Sequence, residues 1–309
     1  MEMTAVNRLI RMGTELGCTV LENEPMARRT TFHIGGPARL LMEVQTSEAL
    51  AKLYSTCKSE GIACFVLGNG SNLLVDDEGY DGVVLHLGAG MATITREGND
   101  VIAGAGAKLT SLANFARNNS LSGLEFSFGI PGSVGGAAYM NAGAYGGEMK
   151  DVMVSCEVVT AQGEVKTLTA AEMELSYRHS ALMKNESIVT SIRVRLQPDE
   201  KDAITARMND YMGRRKDKQP LEYPSAGSTF KRPVGYFAGA LIQQCGLKGY
   251  AVGGAQVSEK HAGFVINKDN ATAKDVRDLI AHVQKTVKEE TGVTLECEVL
   301  RLGAGSWEK

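Results

Sequence analysis

The stretch from Gly129 to Gly147 reads GIPGSVGGAAYMNAGAYGG, and the rest of the chain is best understood by working outward from it. Seven of its nineteen residues are glycine and four are alanine, which favours neither a regular helix nor a strand. Ile130, Val134, Tyr139 and Met140 nevertheless make it too apolar for a solvated linker. Glycine permits positive φ and close approach of backbone to a ligand. Successive amides left free by small residues form a concavity suited to phosphate oxygens or to the polar edge of a flat ring. The same composition is equally compatible with a tight, buried crossover loop.

The chain has 309 residues, 43% of them hydrophobic, enough for a sizeable core divided over two domains. A net charge of −3 gives no overall positive field to recruit nucleic acid, so any basic site must be local. The opening MEMTAVNRLIRMGTELG lacks the apolar run of a signal peptide, and no stretch approaches the ~18 apolar residues of a membrane span. A cytoplasmic protein with no membrane partner is expected. Cys18, Cys57, Cys64, Cys156, Cys245 and Cys297 are scattered without a CxxC pair, which favours buried reduced thiols over a metal centre or a disulfide framework. The histidines do not cluster either, and no metal is expected.

Before the glycine stretch, Thr46 or Ser47 caps a predicted helix to about Glu60, and Ile62 to Leu67 reads as a strand running into Gly68-Asn69-Gly70-Ser71-Asn72. A glycine turn at the carboxyl edge of a strand–helix–strand unit is a common place for a phosphate. It is also a plain way into Leu73-Leu74-Val75. Val83 to Leu87 and Val101 to Ala105 follow as strands, and Thr110 is expected to cap a helix with Leu112, Phe115 and Ala116 inward. After it, Val152 to Val159 and Val165 to Leu168 predict a hairpin through Gln162-Gly163, while Ile188 to Leu196 alternates with a slip near Ile192 that suggests a bulge. At Pro198-Asp199-Glu200 the character changes to a polar helix, where a domain boundary is expected. Beyond it lie a small-residue loop at Pro224 to Phe230, a short helix from Phe237 to Cys245, and a strand from Gly263 to Asn267. Thr272 caps an amphipathic helix carrying Val276, Leu279, Ile280, Val283 and Val287, closed at Gly292. A final strand, Val293 to Leu302, sets Glu296 and Glu298 on the face opposite Val293, Leu295, Cys297 and Val299.

Several familiar motifs are excluded. Leu73 and Leu109 stand where the third glycine of a dinucleotide fingerprint would follow Gly68-x-Gly70 and Gly104-x-Gly106. Ser133 lies in Pro131-Gly132-Ser133-Val134-Gly135, with proline in the first position of a nucleophile elbow. There is no Walker sequence and no HExxH.

Seven segments in order carry a more specific signal. They are Gly68-Asn69-Gly70-Ser71-Asn72-Leu73, Gly129-Ile130-Pro131-Gly132-Ser133-Val134-Gly135-Gly136, Asn141-Ala142-Gly143-Ala144-Tyr145-Gly146, Tyr177-Arg178, Ala226-Gly227-Ser228-Thr229-Phe230-Lys231, His261 to Asn267, and Glu296-Cys297-Glu298-Val299. Together, from about Thr31 to Leu302, they closely resemble the UDP-N-acetylenolpyruvoylglucosamine reductase family. The resemblance implies an α+β fold: a two-lobed FAD-binding domain of the vanillyl-alcohol-oxidase (PCMH) type and a smaller α+β substrate-binding domain. It places the FAD domain at 1–198, with lobes of about 1–60 and 61–198, the substrate domain at 199–292, and a C-terminal strand and tail at 293–309. Gly246 to Val257 is too compact for the tyrosine-bearing loop of the family's longer variant, so the shorter variant is implied.

The same resemblance implies NADPH as reductant and ping-pong hydride transfer through N5 of the flavin. Gly68, Asn69, Gly70, Ser71, Asn72, Gly129, Ile130, Pro131, Gly132, Ser133, Gly135, Gly136, Asn141, Gly143 and Ala144 are then cofactor-binding. Arg178, Ser228 and Glu298 are catalytic: Arg178 a fixed cation forked onto the substrate carboxylate, Ser228 the proton donor, recharged by Lys231 or a water, and Glu298 a neutral donor or water holder. Tyr177, Arg214, Arg215, Lys218, Lys231 and Arg232 are expected to bind the UDP sugar, and no protein partner is expected. Two rivals remain: a flavoenzyme of the same superfamily acting on another alcohol or sugar acid, and a non-catalytic sugar-nucleotide-binding protein.

Overall fold

The glycine stretch neither extends nor coils freely, because its amides and small residues are drawn against the strand and helix before it. In the computed structural model, which describes residues 3–305 and 307, Val134–Tyr139 forms a short helix capped by Ser133, whose Oγ accepts from the Gly136 N–H (3.2 Å). Val134 and Gly135 donate to the carbonyls of Ala107 and Ala105, and Leu109 donates to Gly132 O (3.0 Å). That last bond corrects the expected cap at Thr110. The helix Leu109–Asn118 starts two residues earlier, with Lys108 at its N-cap and no side-chain cap, because the Gly132 carbonyl meets the Leu109 amide.

The chain divides into two compact units. The first comprises Met1–Glu22, Leu40–Asn69 and Gly82–Arg214; the second comprises Asn23–Arg39, Gly70–Asp81 and Arg215–Lys309. A division in chain order at 198 therefore differs from the contacts. The reason lies in the helix Lys201–Lys218, whose Ile204 and Met208 are buried in the first unit's core. Residues 1, 2, 306, 308 and 309, which the expected terminal segments include, lie outside the described residues.

Two sheets serve the first unit. A four-stranded sheet runs in the order Thr19–Pro25, Pro37–Val44, Tyr80–Leu87, Cys64–Leu67, the last two parallel. It carries the helix Ser47–Ser59, which Thr46 caps through a 3.1 Å bond from Ala49 N. A five-stranded antiparallel sheet follows in the order Val165–Thr169, Met153–Val159, Ile188–Arg195, Asp100–Gly104, Ile94–Glu97. Since Cys64–Leu67 pairs with Tyr80–Leu87, the first lobe runs past residue 60 to Leu87. The hairpin turn at Gly163 (φ 82°) is as read from sequence. Pairing passes from Glu157↔Ser191 to Val158↔Val189, leaving Thr190 as an extra residue, so the irregularity lies two positions before Ile192.

The second unit is built around the helix Ala273–Thr291. Thr272 and Asp275 close a reciprocal capping box, Gly292 ends the helix at φ 73°, and Val276, Leu279, Ile280, Val283 and Val287 are buried. Each of those side chains contributes about 1.5–3 kcal/mol by leaving water. They pack with Phe32, Ile34, Leu74, Phe230, Leu295 and Val299. A three-stranded antiparallel sheet, Ala251–Val252, Ala255–Val257 and Val265–Asn267, completes this unit with a parallel pair, Leu73–Val75 and Leu300–Leu302. The expected strand from Val293 is thus a strand only over Leu300–Leu302, plus a single bridge at Cys297. Leu295 and Val299 are still buried and Glu296 exposed, as the alternation requires. Trp307 packs against the core, and its indole donates to Val299 O (2.6 Å). All six cysteines are free thiols, and no helix is long and apolar enough to cross a membrane among the described residues.

Candidate active site

In the first unit, two glycine segments meet. Asn69 Nδ2 donates to Pro131 O (3.0 Å), and a Cβ added to Gly68 would stand 2.2 Å from Ser133 Oγ. A Cβ on Gly135 would stand 2.9 Å from that of Ala105, so both positions are closed to any larger residue. The N–H groups of Ile130, Gly135 and Gly136 are bonded internally. Among the described residues, no protein acceptor meets the backbone N–H groups of Gly68, Asn69, Gly132 and Ser133. Unpaired donors on side-chain-poor backbone suit the phosphate oxygens and polar ring edge of a flavin nucleotide, so the residues present fit FAD.

Past the short helix, Gly143 and Ala144 pair antiparallel with Glu148 and Gly147. The hairpin closes through Tyr145 (φ 54°) and Gly146 (φ 88°), both left-handed as a tight two-residue turn demands. Tyr145 stacks on Tyr211 at 4.9 Å, a contact that sequence reasoning missed although a tyrosine in a glycine hairpin is a visible oddity. Asn141 is 1% exposed, and its amide makes three internal hydrogen bonds. Nδ2 donates to Ser176 O (3.0 Å) and Glu148 Oε2 (2.6 Å), and Oδ1 accepts from Lys150 N (2.9 Å).

Tyr177 and Arg178 form the tip of a turn closed by two bonds between Ser176 and His179, N–H to carbonyl in each direction (3.2 and 3.1 Å). Arg178 adopts φ 52°, a left-handed conformation that costs a non-glycine residue about 1–3 kcal/mol. Its guanidinium lies 5.2 Å from the Tyr177 ring centroid. Arg214 also belongs to this unit, paired with Asp210 (2.8 Å).

The second unit gathers Gly70–Asn72, Ser225–Lys231 and Glu296–Glu298. Gly70 has φ 59°, and a Cβ there would lie 2.1 Å from Arg29 O, while its own carbonyl accepts from Thr31 N (3.1 Å). Thr31 in turn donates its hydroxyl to Ser225 O (2.7 Å). Thr229 donates to Gly263 O and accepts, through Oγ1, from Val265 N (2.9 Å). Lys231 N donates to Glu296 O and Glu298 N to Thr229 O (2.8 Å), bracketing the Phe230–Cys297 bridge. Asn72 Nδ2 holds the Glu298 carbonyl at 3.1 Å, so the backbone of Glu298 is fixed on both sides. This register brings Ser228 within one residue of the strand position opposite Glu298. The Ser228 side chain is half-buried, and its hydroxyl has no protein partner among the described residues.

The basic residues are less concentrated than their spacing suggests. Lys231 pairs with Glu296 (3.3 Å), and Arg232 lies over Phe237 at 4.5 Å. Arg215 and Lys218, three residues apart on one helix, share a face. Burial pushes the Cys297 thiol up to about 12, which makes it a packing residue between the two glutamates. Burial also holds the His261 imidazole below its ordinary range, with Lys248 adding to the effect and a backbone hydrogen bond opposing it. Its Nδ1 accepts from Gly263 N (3.0 Å) and so shapes the loop that receives Thr229.

Comparison with known proteins agrees with this division of labour. Residues 38–169 match the model of a family described as FAD binding domain, and residues 219–302 match that of the UDP-N-acetylenolpyruvoylglucosamine reductase C-terminal domain. A protein of that name from Agathobacter rectalis is 51% identical over 315 residues, covering 98% of this chain and 99% of its own. Another from Clostridium perfringens is 51% identical over 281 residues, covering 91% and 92%. The solved structure of UDP-N-acetylenolpyruvylglucosamine reductase from Thermus caldophilus superposes with a TM-score of 0.80 at 38% identity, covering 93% of this chain and 99% of that one.

Proposed function

The chain belongs to the UDP-N-acetylenolpyruvoylglucosamine reductase family and is a flavin-dependent oxidoreductase of peptidoglycan precursor synthesis; from that premise we propose its substrate, its reductant and the roles of its residues. It reduces UDP-N-acetyl-3-O-(1-carboxyvinyl)glucosamine to UDP-N-acetylmuramate in the cytoplasm, with NADPH as electron source. Bound FAD would supply hydride transfer between NADPH and the enolpyruvyl group, in a ping-pong cycle. Gly68, Asn69, Gly132 and Ser133 hold it through backbone N–H groups.

Hydride adds to the terminal carbon of the enolpyruvyl double bond and pushes negative charge toward a carboxylate that is already anionic. A cation fixed in advance stabilises that charge best, and the constrained turn at Tyr177–Arg178 keeps the guanidinium from following the substrate. Ser228 then donates its hydroxyl proton to the carbon bearing the ether oxygen, giving the saturated lactyl ether. Glu298 serves beside it, its backbone pinned by Thr229 and Asn72. Because Lys231 is paired with Glu296, a water is the better source for recharging Ser228. Arg215 and Lys218 receive the pyrophosphate.

The observation that carries this reading is Ser228 itself. Its loop is tied to Gly263 and Glu296–Glu298, yet its hydroxyl has no protein partner among the described residues. The test is steady-state assay of the purified yellow protein. NADPH oxidation that depends on the enolpyruvyl UDP sugar and yields UDP-N-acetylmuramate supports the reading; oxidation indifferent to that sugar removes it, and a colourless protein that only binds the sugar replaces it with a binding function.

A further inference from the structure

We infer that the buried side chains of Asn141 and Ser180 are positioning residues for Arg178, and that Asn141 acts on the reaction through that turn instead of touching the flavin with its amide. The inference rests on the role proposed for Arg178 above. Each end of the Ser176–His179 turn is fastened to the end of the short glycine-rich helix. Asn141 Nδ2 donates to Ser176 O (3.0 Å) on one side, and Ser180 Oγ donates to Tyr139 O (2.7 Å) on the other. Ser180 is 0% exposed and Asn141 1%.

The amide can face only one way. Both acceptors, the Ser176 carbonyl and the Glu148 carboxylate, meet Nδ2, while the one donor, Lys150 N–H, meets Oδ1. A flipped amide would set an oxygen against two oxygens. Both Nδ2 protons and one Oδ1 lone pair of Asn141 are engaged inside the fold, so donation from this amide to a flavin would have to break an internal bond in a dry environment. The two clamps have a task that their position explains. Arg178 is held at φ 52°, and a left-handed arginine persists only where its surroundings over-determine it. Without the clamps the turn would relax, and the guanidinium would move relative to the loop carrying Gly132 and Ser133. A displacement of about 1 Å from a distant change can cost roughly 100-fold in rate.

The experiment uses FAD-loaded enzyme and four variants: Asn141→Ala, Ser180→Ala, Arg178→Ala and Ser180→Ala/Arg178→Ala. Positioning predicts that Ser180→Ala and Asn141→Ala keep their FAD and their rate of flavin bleaching by NADPH, while reoxidation by the enolpyruvyl UDP sugar slows by roughly ten- to a hundred-fold. It also predicts that Ser180→Ala adds no further slowing on the Arg178→Ala background. An equal effect of Ser180→Ala in both backgrounds, or FAD loss from Asn141→Ala in a folded protein, overturns the inference. If Asn141→Ala fails to fold, the cycle on Ser180 decides alone. Failure of the Arg178 reading looks different: Arg178→Ala would itself reoxidise at the normal rate. A crystal structure of Ser180→Ala with residues 176–179 unmoved would also refute the positioning role, whatever the kinetics of Arg178→Ala.

Discussion

The glycine loops of the first unit and the serine loop of the second are both short of side chains and both held by backbone pairing, but they differ in the room left beside the chain. Around Ser133 and Gly135 the backbone is bonded to Ala105 and Ala107 and leaves no spare room: a Cβ on Gly68 would stand 2.2 Å from Ser133 Oγ and one on Gly135 2.9 Å from the Ala105 Cβ. Around Ser228 it is held by chain pairing to Gly263 and Glu296–Glu298, and a Cβ on neighbouring Gly227 (φ 76°) would meet nothing within 4 Å. The first construction shapes a surface of bare amides that any added atom would spoil. The second presents one side chain and tolerates change beside it. Holding a cofactor and delivering a proton thus call for different room beside the chain.

The sharpest way to break the comparison is Ser228→Ala. Loss of a general acid should lower turnover by roughly 100- to 10,000-fold with FAD content unchanged, as read by steady-state rate and visible absorbance. Next in size, Gly68→Ala should destabilise the protein by about 1–3 kcal/mol through overpacking against Ser133 and reduce the FAD recovered per chain. Ser133→Ala in the same chain should restore part of both, measured by thermal unfolding and flavin content. Replacing Lys218 with Gln should raise KM for the UDP sugar by about tenfold with kcat little changed, the mark of lost ground-state binding; an unchanged KM removes it from the pyrophosphate site.

The smallest effect concerns His261 and pH. Burial keeps its folded-state pKa below the ordinary 6.5, so below that value the unfolded chain binds more protons than the folded one. Stability should therefore fall as pH drops from about 6.5 toward the folded value and stay flat above it, as far as this group is concerned. In His261→Gln that part of the slope should vanish from a series of thermal unfolding curves, leaving only the fall at lower pH where carboxylates such as Asp275 take up protons.

What could be read from sequence follows how local each determinant is. The helix Ala273–Thr291 was legible from end to end because its cap, its stripe and its terminating glycine lie within the helix itself. The start of Leu109–Asn118 was not, because the group that satisfies it is Gly132 O, far along the chain. The same holds for the packing of residues 23–39 and 70–81 with the C-terminal unit, and for the bond from Asn72 to Glu298. In the site, the motifs point to segments but not to the bonds that each side chain makes. Neither the three internal partners of Asn141 nor the pairing of Lys231 with Glu296 could be read from their motifs, because each partner is set by the fold.

The most direct test places Gly68→Ala and Ser228→Ala side by side in rapid-mixing experiments on the two half-reactions, each normalised to bound FAD. The account predicts that Gly68→Ala recovers less flavin, whereas Ser228→Ala carries a full complement that NADPH bleaches at the normal rate and the enolpyruvyl UDP sugar fails to reoxidise. If Ser228→Ala instead loses both half-reactions equally, or reoxidises normally, the division between a cradle that holds and a loop that donates is wrong.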